Sequence, residues 1–282
     1  MFGNERQMRE AGVMARSVSP QSRRAPEREL RARMIDVCRE MNRIGLNQGT
    51  SGNLSVRLDH DRCLITPSGV DYDAMENADI ATLRSDGRWS GPVRPSSEWR
   101  FHRDILKARP EAGAVLHTHS RHATAIACLD QDIPAFHYMV AIAGGASIRC
   151  ARYATFGSQQ LSDAALQALD GRKACLLAHH GLIVIEATAE KALRLAVEIE
   201  ALASMYLSAR QVGEPRTLPK REMEKVLALF RTYGTPEFPD QELRRIDAQA
   251  LAPSPTDFNR RRLPVRKIAT RKPRGRTRNG EA

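Results

Sequence analysis

AGAVLHTH (residues 112–119) reads as a buried strand that ends on two histidines, and KACLLAHHGLIVIE (residues 173–186) repeats the plan on a second pair of strands. Alternate residues of a strand share a face, so His117 and His119 present both imidazoles to one side, a separation that suits a shared metal ion. In the second stretch, the strand KACLLA runs into a His-His-Gly turn and then the strand GLIVIE. His180 is a third candidate ligand there, and Gly181 behind it lets the backbone turn tightly. Three His ligands leave Zn²⁺ an open coordination position, which is the catalytic rather than the structural pattern. A lone HxH pair is more often ordinary surface or core histidine; the second histidine-bearing strand is what strengthens the metal reading. The remaining histidines, His60, His102, His122, His137 and His179, are read as surface groups or satisfied supporting ones.

Outward from these strands the chain alternates helix and strand. Leu30, Met34, Val37, Met41 and Ile44 recur at helical spacing, and Gly45 supplies a stop. NLSVRL and CLIT follow as short strands with turn chemistry between them. Pro95-Ser96-Ser97-Glu98 signals a helix start, with the helix running to about Ala108. Ser120 to Leu129 reads as a helix, Ala135 to Ala141 as a strand, and Gly144-Gly145 as a turn. Gln159 to Leu169, Thr188 to Gln211 and Lys220 to Tyr233 read as helices. This order predicts an α/β layered domain with an at least partly antiparallel sheet.

The chain has 282 residues with 44 Lys plus Arg against 33 Asp plus Glu, a net charge of +11. Ten of those bases and one acid fall in residues 259–282, so that stretch carries +9 and leaves +2 for the other 258 residues. The charge total therefore does not predict a nucleic-acid-binding fold, and a basic run of this kind is usually a solvated segment. Residues 1–26 read as a flexible arm, 27–245 as one compact domain, and 246–282 as a basic, disordered tail. No stretch approaches the ~18 apolar residues of a membrane span, and the start lacks a secretory apolar region. Cys38, Cys63, Cys128, Cys150 and Cys175 are odd in number and scattered, the pattern of reduced thiols in a cytoplasmic protein.

Glu98 in PSSEW sits at a helix start, where an anion is favoured by the helix dipole. Three small-residue loops, GTSGN (49–53), TPSG (66–69) and PSS (95–97), offer free N–H groups and hydroxyls of the kind that cradle phosphate, although Gly/Ser loops are mostly turns.

Taken together, NRIGLNQGTSGNLSVR, LITPSG, PSSEWRFH, HTH, IPAFHYMVAIAGG, ARYATFG, LLAHHGLI and FRTYG resemble the class II aldolase/adducin family, and within it the L-fuculose-1-phosphate aldolases. The motifs fall in the same order over roughly Arg28 to Thr235. The resemblance implies a three-layer α/β/α domain with a mostly antiparallel central sheet and one Zn²⁺ per subunit. It implies His117, His119, His180 and Glu98 as metal ligands, with Glu98 also the catalytic acid/base. Gly52, Asn53, Ser68, Gly69, Ser96 and Ser97 would bind the substrate phosphate, and Tyr138, Phe156 and Tyr233 would position the aldehyde. The expected reaction is reversible cleavage of L-fuculose 1-phosphate, or a related ketose 1-phosphate, to dihydroxyacetone phosphate and L-lactaldehyde. The expected assembly is a homotetramer with intersubunit sites, with no specific nucleic acid and no membrane as partners. HTHSRHAT is nearer to the ribulose-phosphate 4-epimerase branch, but that branch has Asp where this chain has Glu98. A methylthioribulose-phosphate dehydratase is a further enzymatic alternative. An adducin-like binding module would not need four converging ligands.

Overall fold

Helix α1 (Glu27–Arg43) opens with Glu27 and Glu29 and closes on Arg43, charges that complement its dipole at both ends. Its buried side is Met34, Ile35, Val37, Cys38 and Met41, the face the apolar spacing predicts. The computed structural model describes residues 27–231. The expected arm (1–26), the basic tail (246–282), the proposed boundary at 245 and Tyr233 lie outside the described residues.

After α1 come β1 (Asn53–Arg57), β2 (Arg62–Ile65), β3 (Ala81–Arg84), β4 (Trp89–Ser90), α2 (Trp99–Ala108), β5 (Ala114–Thr118) and α3 (Arg121–Ala127). A short 3-10 helix (Tyr138–Ala143) leads to β6 (Arg149–Ala151), α4 (Gln159–Ala168), β7 (Ala174–Leu177), β8 (Gly181–Glu186), α5 (Ala189–Val212) and α6 (Lys220–Phe230). The strands form one sheet in the order β4-β3-β2-β1-β5-β8-β7-β6. Every pairing is antiparallel except β6 with β7. The sheet is thus mostly antiparallel, as the resemblance implied.

Two apolar layers sandwich it. On one side α1, α3, α5 and α6 cover Leu54, Leu116, Leu176 and Val184. On the other α2 and α4 cover Val115, Cys175, Ile183 and Ile185. Strand β5 lies between β1 and β8 and is buried at every residue. Fully burying Val115 and Leu116 stabilises the fold by roughly 1.5–3 kcal/mol each. The histidine strand is therefore held within the core on both faces.

The expected strand over Ala135–Ala141 is not formed. Only Ile133 makes a bridge, to Ile148, and the chain then coils into the 3-10 helix. Val140, Ala141 and Ala143 turn inward while Tyr138 stays exposed, so the apolar run packs as a short coil against α5 and α6. Strands β3, β4 and β6 carry no sequence signal strong enough to predict them.

Candidate active site

His117 pairs in register with Asn53 of β1 and Ile183 of β8, which places its ring on the α2 side of the sheet. Its Nδ1 lies 3.0 Å from the Leu182 carbonyl. A carbonyl only accepts, so Nδ1 carries the proton and Nε2 presents a lone pair. His119 follows the strand end, where its backbone N–H donates to Asn47 Oδ1 at 3.2 Å. Asn47 also takes the Ser51 hydroxyl at 3.2 Å, so one buried amide ties the histidine strand to the first small-residue loop.

His180 sits in the β7–β8 turn. The left-handed residue there is His179, at φ 53°, not the glycine. Gly181 serves a different purpose from the tight turn expected of it. A Cβ on it would lie 2.7 Å from the Thr118 carbonyl oxygen and 3.0 Å from His119 Cδ2. The glycine is the space into which the facing histidines close. Gly181→Ala is expected to destabilise the fold by about 1–3 kcal/mol through overpacking, measured by urea unfolding of purified protein. An unchanged midpoint would show that the turn has room to spare.

The three imidazoles converge, with their ligand nitrogens all within 4.8 Å of one another. His119 Nε2 is 3.1 Å from His117 Nε2. Glu98 reaches the same point from the start of α2, with Oε2 3.2 Å from His117 Nε2 and Oε1 3.2 Å from His180 Nε2. These contacts are not ion pairs. Burial, and then His119 beside it, pushes His117 down to about 3, and burial with His117 beside it pushes His180 down to about 4. Burial also lowers His119. The bare Nε2 of His117, two further neutral imidazoles and a carboxylate thus crowd one point, and Glu98 Oε1 is buried there without a hydrogen bond. Such a set calls for a cation at its centre. A tetrahedral zinc with arms of about 2.0–2.1 Å sets its ligand atoms roughly 3.3 Å apart, close to the contacts above. The donor set fits a divalent transition metal of the zinc kind.

Above this point opens a cleft of about 420 Å³. Gly52, Asn53, Ser68, Gly69, Ser96, Ser97, Glu98, Phe156, His119 and His180 all line it. A bridge between Pro67 and Pro95, with Ser96 N–H on the Thr66 carbonyl at 2.9 Å, pins two of the small-residue loops side by side. Ser96, Ser97 and Glu98 lie at the amino end of α2, where the dipole favours an anion. Glu98 itself makes no capping bond to the helix, because its side chain is turned into the site. Gly52 is packed tightly, since a Cβ there would lie 2.9 Å from the His117 carbonyl oxygen.

Two of the expected site residues stand apart from the others. Tyr138 is 51% exposed and does not line the cleft of its own chain. Asn53 lines the cleft, but its side-chain amide is committed to Glu98, donating to Oε2 at 3.0 Å. The sequence reading also missed Tyr153 and His179, which line the cleft edge-to-face with ring centroids 6.0 Å apart. ARYATFG and HHG, already singled out, held both of them.

The chain matches the model of the Class II Aldolase and Adducin N-terminal domain over residues 32–207. It is 55% identical over 205 residues to the 5-methylthioribulose-1-phosphate/5-deoxyribulose-1-phosphate aldolase of Rhodospirillum rubrum, covering 73% of this chain and 92% of that protein. It is 49% identical over 207 residues to the L-fuculose phosphate aldolase of Escherichia coli K12, covering 73% of this chain and 96% of that protein. A solved L-fuculose 1-phosphate aldolase superposes with a TM-score of 0.70 at 36% identity, over 72% of this chain and 96% of its own. On a matched domain that includes every histidine and the carboxylate of the cluster, the chain belongs to the class II aldolase and adducin family.

Proposed function

We propose that the chain is a zinc-dependent aldolase that reversibly cleaves a ketose 1-phosphate to dihydroxyacetone phosphate and a short aldehyde. The observation that carries this reading is Glu98, a buried carboxylate aimed at three neutral imidazoles beneath a cleft of hydroxyl-bearing and glycine loops. His117, His119 and His180, with Glu98 in the resting site, would hold the ion, whose Lewis acidity would favour negative charge on the ketose oxygens. Glu98 is the group within reach to take and return the substrate proton as general acid/base. Ser68, Gly69, Ser96 and Ser97 bind the phosphate, a handle remote from the reacting carbons that fixes orientation.

L-Fuculose 1-phosphate is the substrate expected from the motifs, and the name of the Rhodospirillum relative sets 5-methylthioribulose 1-phosphate and 5-deoxyribulose 1-phosphate beside it. The aldehydes released from all three are short and end in a methyl or methylthio group. Phe156, 66% exposed at the cleft, offers the apolar surface such an end needs. Purified metal-loaded protein incubated with each of the three ketose phosphates, and with L-ribulose 5-phosphate, decides the reading by product analysis. Dihydroxyacetone phosphate from at least one ketose 1-phosphate is the expected result. Epimerised or dehydrated product without it overturns the aldolase assignment.

Tyr138 enters this scheme from a neighbouring subunit of a homotetramer, since it stands away from its own cleft. Mixed oligomers reassembled from inactive Tyr138→Phe and inactive His119→Ala subunits are expected to regain part of the wild-type activity. No recovery in verified mixed oligomers rejects the intersubunit role.

A further inference from the structure

We propose that Ser55, His102 and Asn53 form a positioning relay that holds Glu98 by Oε2 and reserves Oε1 for the substrate proton. The proton assignment rests on the aldolase reading; the relay itself does not. Asn53 and Ser55 are alternate residues of β1 and share a face of the sheet. Glu98 and His102 are four apart at the start of α2 and project to the same side. The four meet in a row: Ser55 Oγ to His102 Nδ1 is 2.7 Å, His102 Nε2 to Asn53 Oδ1 is 2.5 Å, and Asn53 Nδ2 to Glu98 Oε2 is 3.0 Å. Ser55 and His102 are fully buried, and Asn53 and Glu98 are 4% and 5% exposed.

Hydrogen-bond direction in this row follows from one end. A carboxylate only accepts, so the amide nitrogen of Asn53 faces Glu98 and its oxygen faces His102. That oxygen accepts, so His102 carries its proton on Nε2. Burial keeps the ring neutral by holding His102 well below the usual histidine range, so Nδ1 is the bare nitrogen and Ser55 donates to it. Every donor thus points toward Glu98. A proton on Oε2 would oppose the Asn53 N–H, and relieving that would require turning the amide, switching the His102 tautomer and rotating Ser55 together. Oε1 makes no hydrogen bond among the described residues; His180 Nε2, turned toward the candidate metal centre, lies 3.2 Å from it, and it is the oxygen left to accept.

The test uses the full chain labelled with ¹⁵N, together with Ser55→Ala, His102→Gln and His102→Leu. In metal-free wild-type protein the ring nitrogens of His102 are expected to report the Nε2–H tautomer. In metal-loaded protein His102→Leu is expected to lower kcat about 10–100-fold, as loss of a supporting partner does, with bound zinc unchanged. KM should stay within about threefold, because a positioning loss falls on the transition state. Exchange of solvent deuterium into dihydroxyacetone phosphate should slow by a factor similar to that for kcat. His102→Gln, whose amide N–H replaces Nε2–H, should recover most of the loss, and Ser55→Ala, which removes only the outermost bond, should lose less than His102→Leu. If His102→Leu does not fold, the tautomer together with the Gln and Ala variants decides. An Nδ1–H tautomer, or a His102→Leu protein with wild-type kcat, overturns the relay. A wild-type protein that cleaves no ketose 1-phosphate overturns the aldolase reading instead and leaves the tautomer result standing.

Discussion

Glu98→Gln is expected to lower aldol cleavage by about 10²–10⁴-fold, the range that general acid–base catalysis contributes. The substitution keeps the size and planarity of the side chain and removes only the proton-accepting carboxylate. Three imidazoles remain to hold the ion, so bound zinc should fall only modestly. The small-residue loops are untouched, so a dihydroxyacetone phosphate mimic such as phosphoglycolohydroxamate should still bind. Glu98→Asp should also cripple cleavage, because a misplacement of about 1 Å can cost ~10²-fold. Cleavage rate, zinc content and inhibitor affinity on the same preparations separate these effects. Near wild-type cleavage by the glutamine variant would leave Glu98 as a helix-start charge and remove the proposed mechanism.

The legible parts of this protein were those where one residue pattern has one physical meaning. AGAVLHTH and GLIVIE are buried on both faces in the middle of the sheet, and their apolar runs bounded by turn residues say so. The 3.6-residue spacing of α1 is equally direct, whereas α5 is less sharply amphipathic and leaves Val197 exposed among its apolar residues. Sheet edges were not legible. Strand β4 is two residues, both exposed, and β6 is three residues, partly or fully buried, too short for alternation to show. The run after Ile133 is apolar at a length where strand and coil cannot be told apart by periodicity, and contacts with α5 and α6 decided it. The convergence of His117 and His119 was legible because alternate residues at a strand end leave little freedom in where their rings point. The hydrogen bond from Asn53 to Glu98 was not, because a residue at the end of a glycine loop can turn to the loop or to the sheet. The i, i+4 spacing of Glu98 and His102, set beside the i, i+2 spacing of Asn53 and Ser55, was the signal available.

Removing His119 is the sharpest test of the metal centre, and it is expected to abolish stable zinc binding. The choice among the three ligands is set by burial. His117 is wholly buried and its Nδ1–H is committed to the Leu182 carbonyl, so replacing it would disturb β5 and β8 as well as the site. His119 lines the cleft, follows the strand end, and is fixed to Asn47 through its backbone rather than its ring. His119→Ala therefore removes a ligand and little else, and its unfolding midpoint without metal should match that of the metal-free parent. Catalytic zinc sites keep three protein ligands and an open position, and with one imidazole gone the remaining set holds the ion weakly. Elemental analysis should find about one zinc per chain in the parent and almost none in the variant after dialysis against a mild chelator. Cleavage should fall with the metal, and added zinc in excess should restore only a fraction. His119→Ala combined with His180→Ala takes away two of the three converging nitrogens. Full zinc occupancy in that double variant would show that the ion is held elsewhere, and neither the three-histidine centre nor the role given to Glu98 beside it would survive.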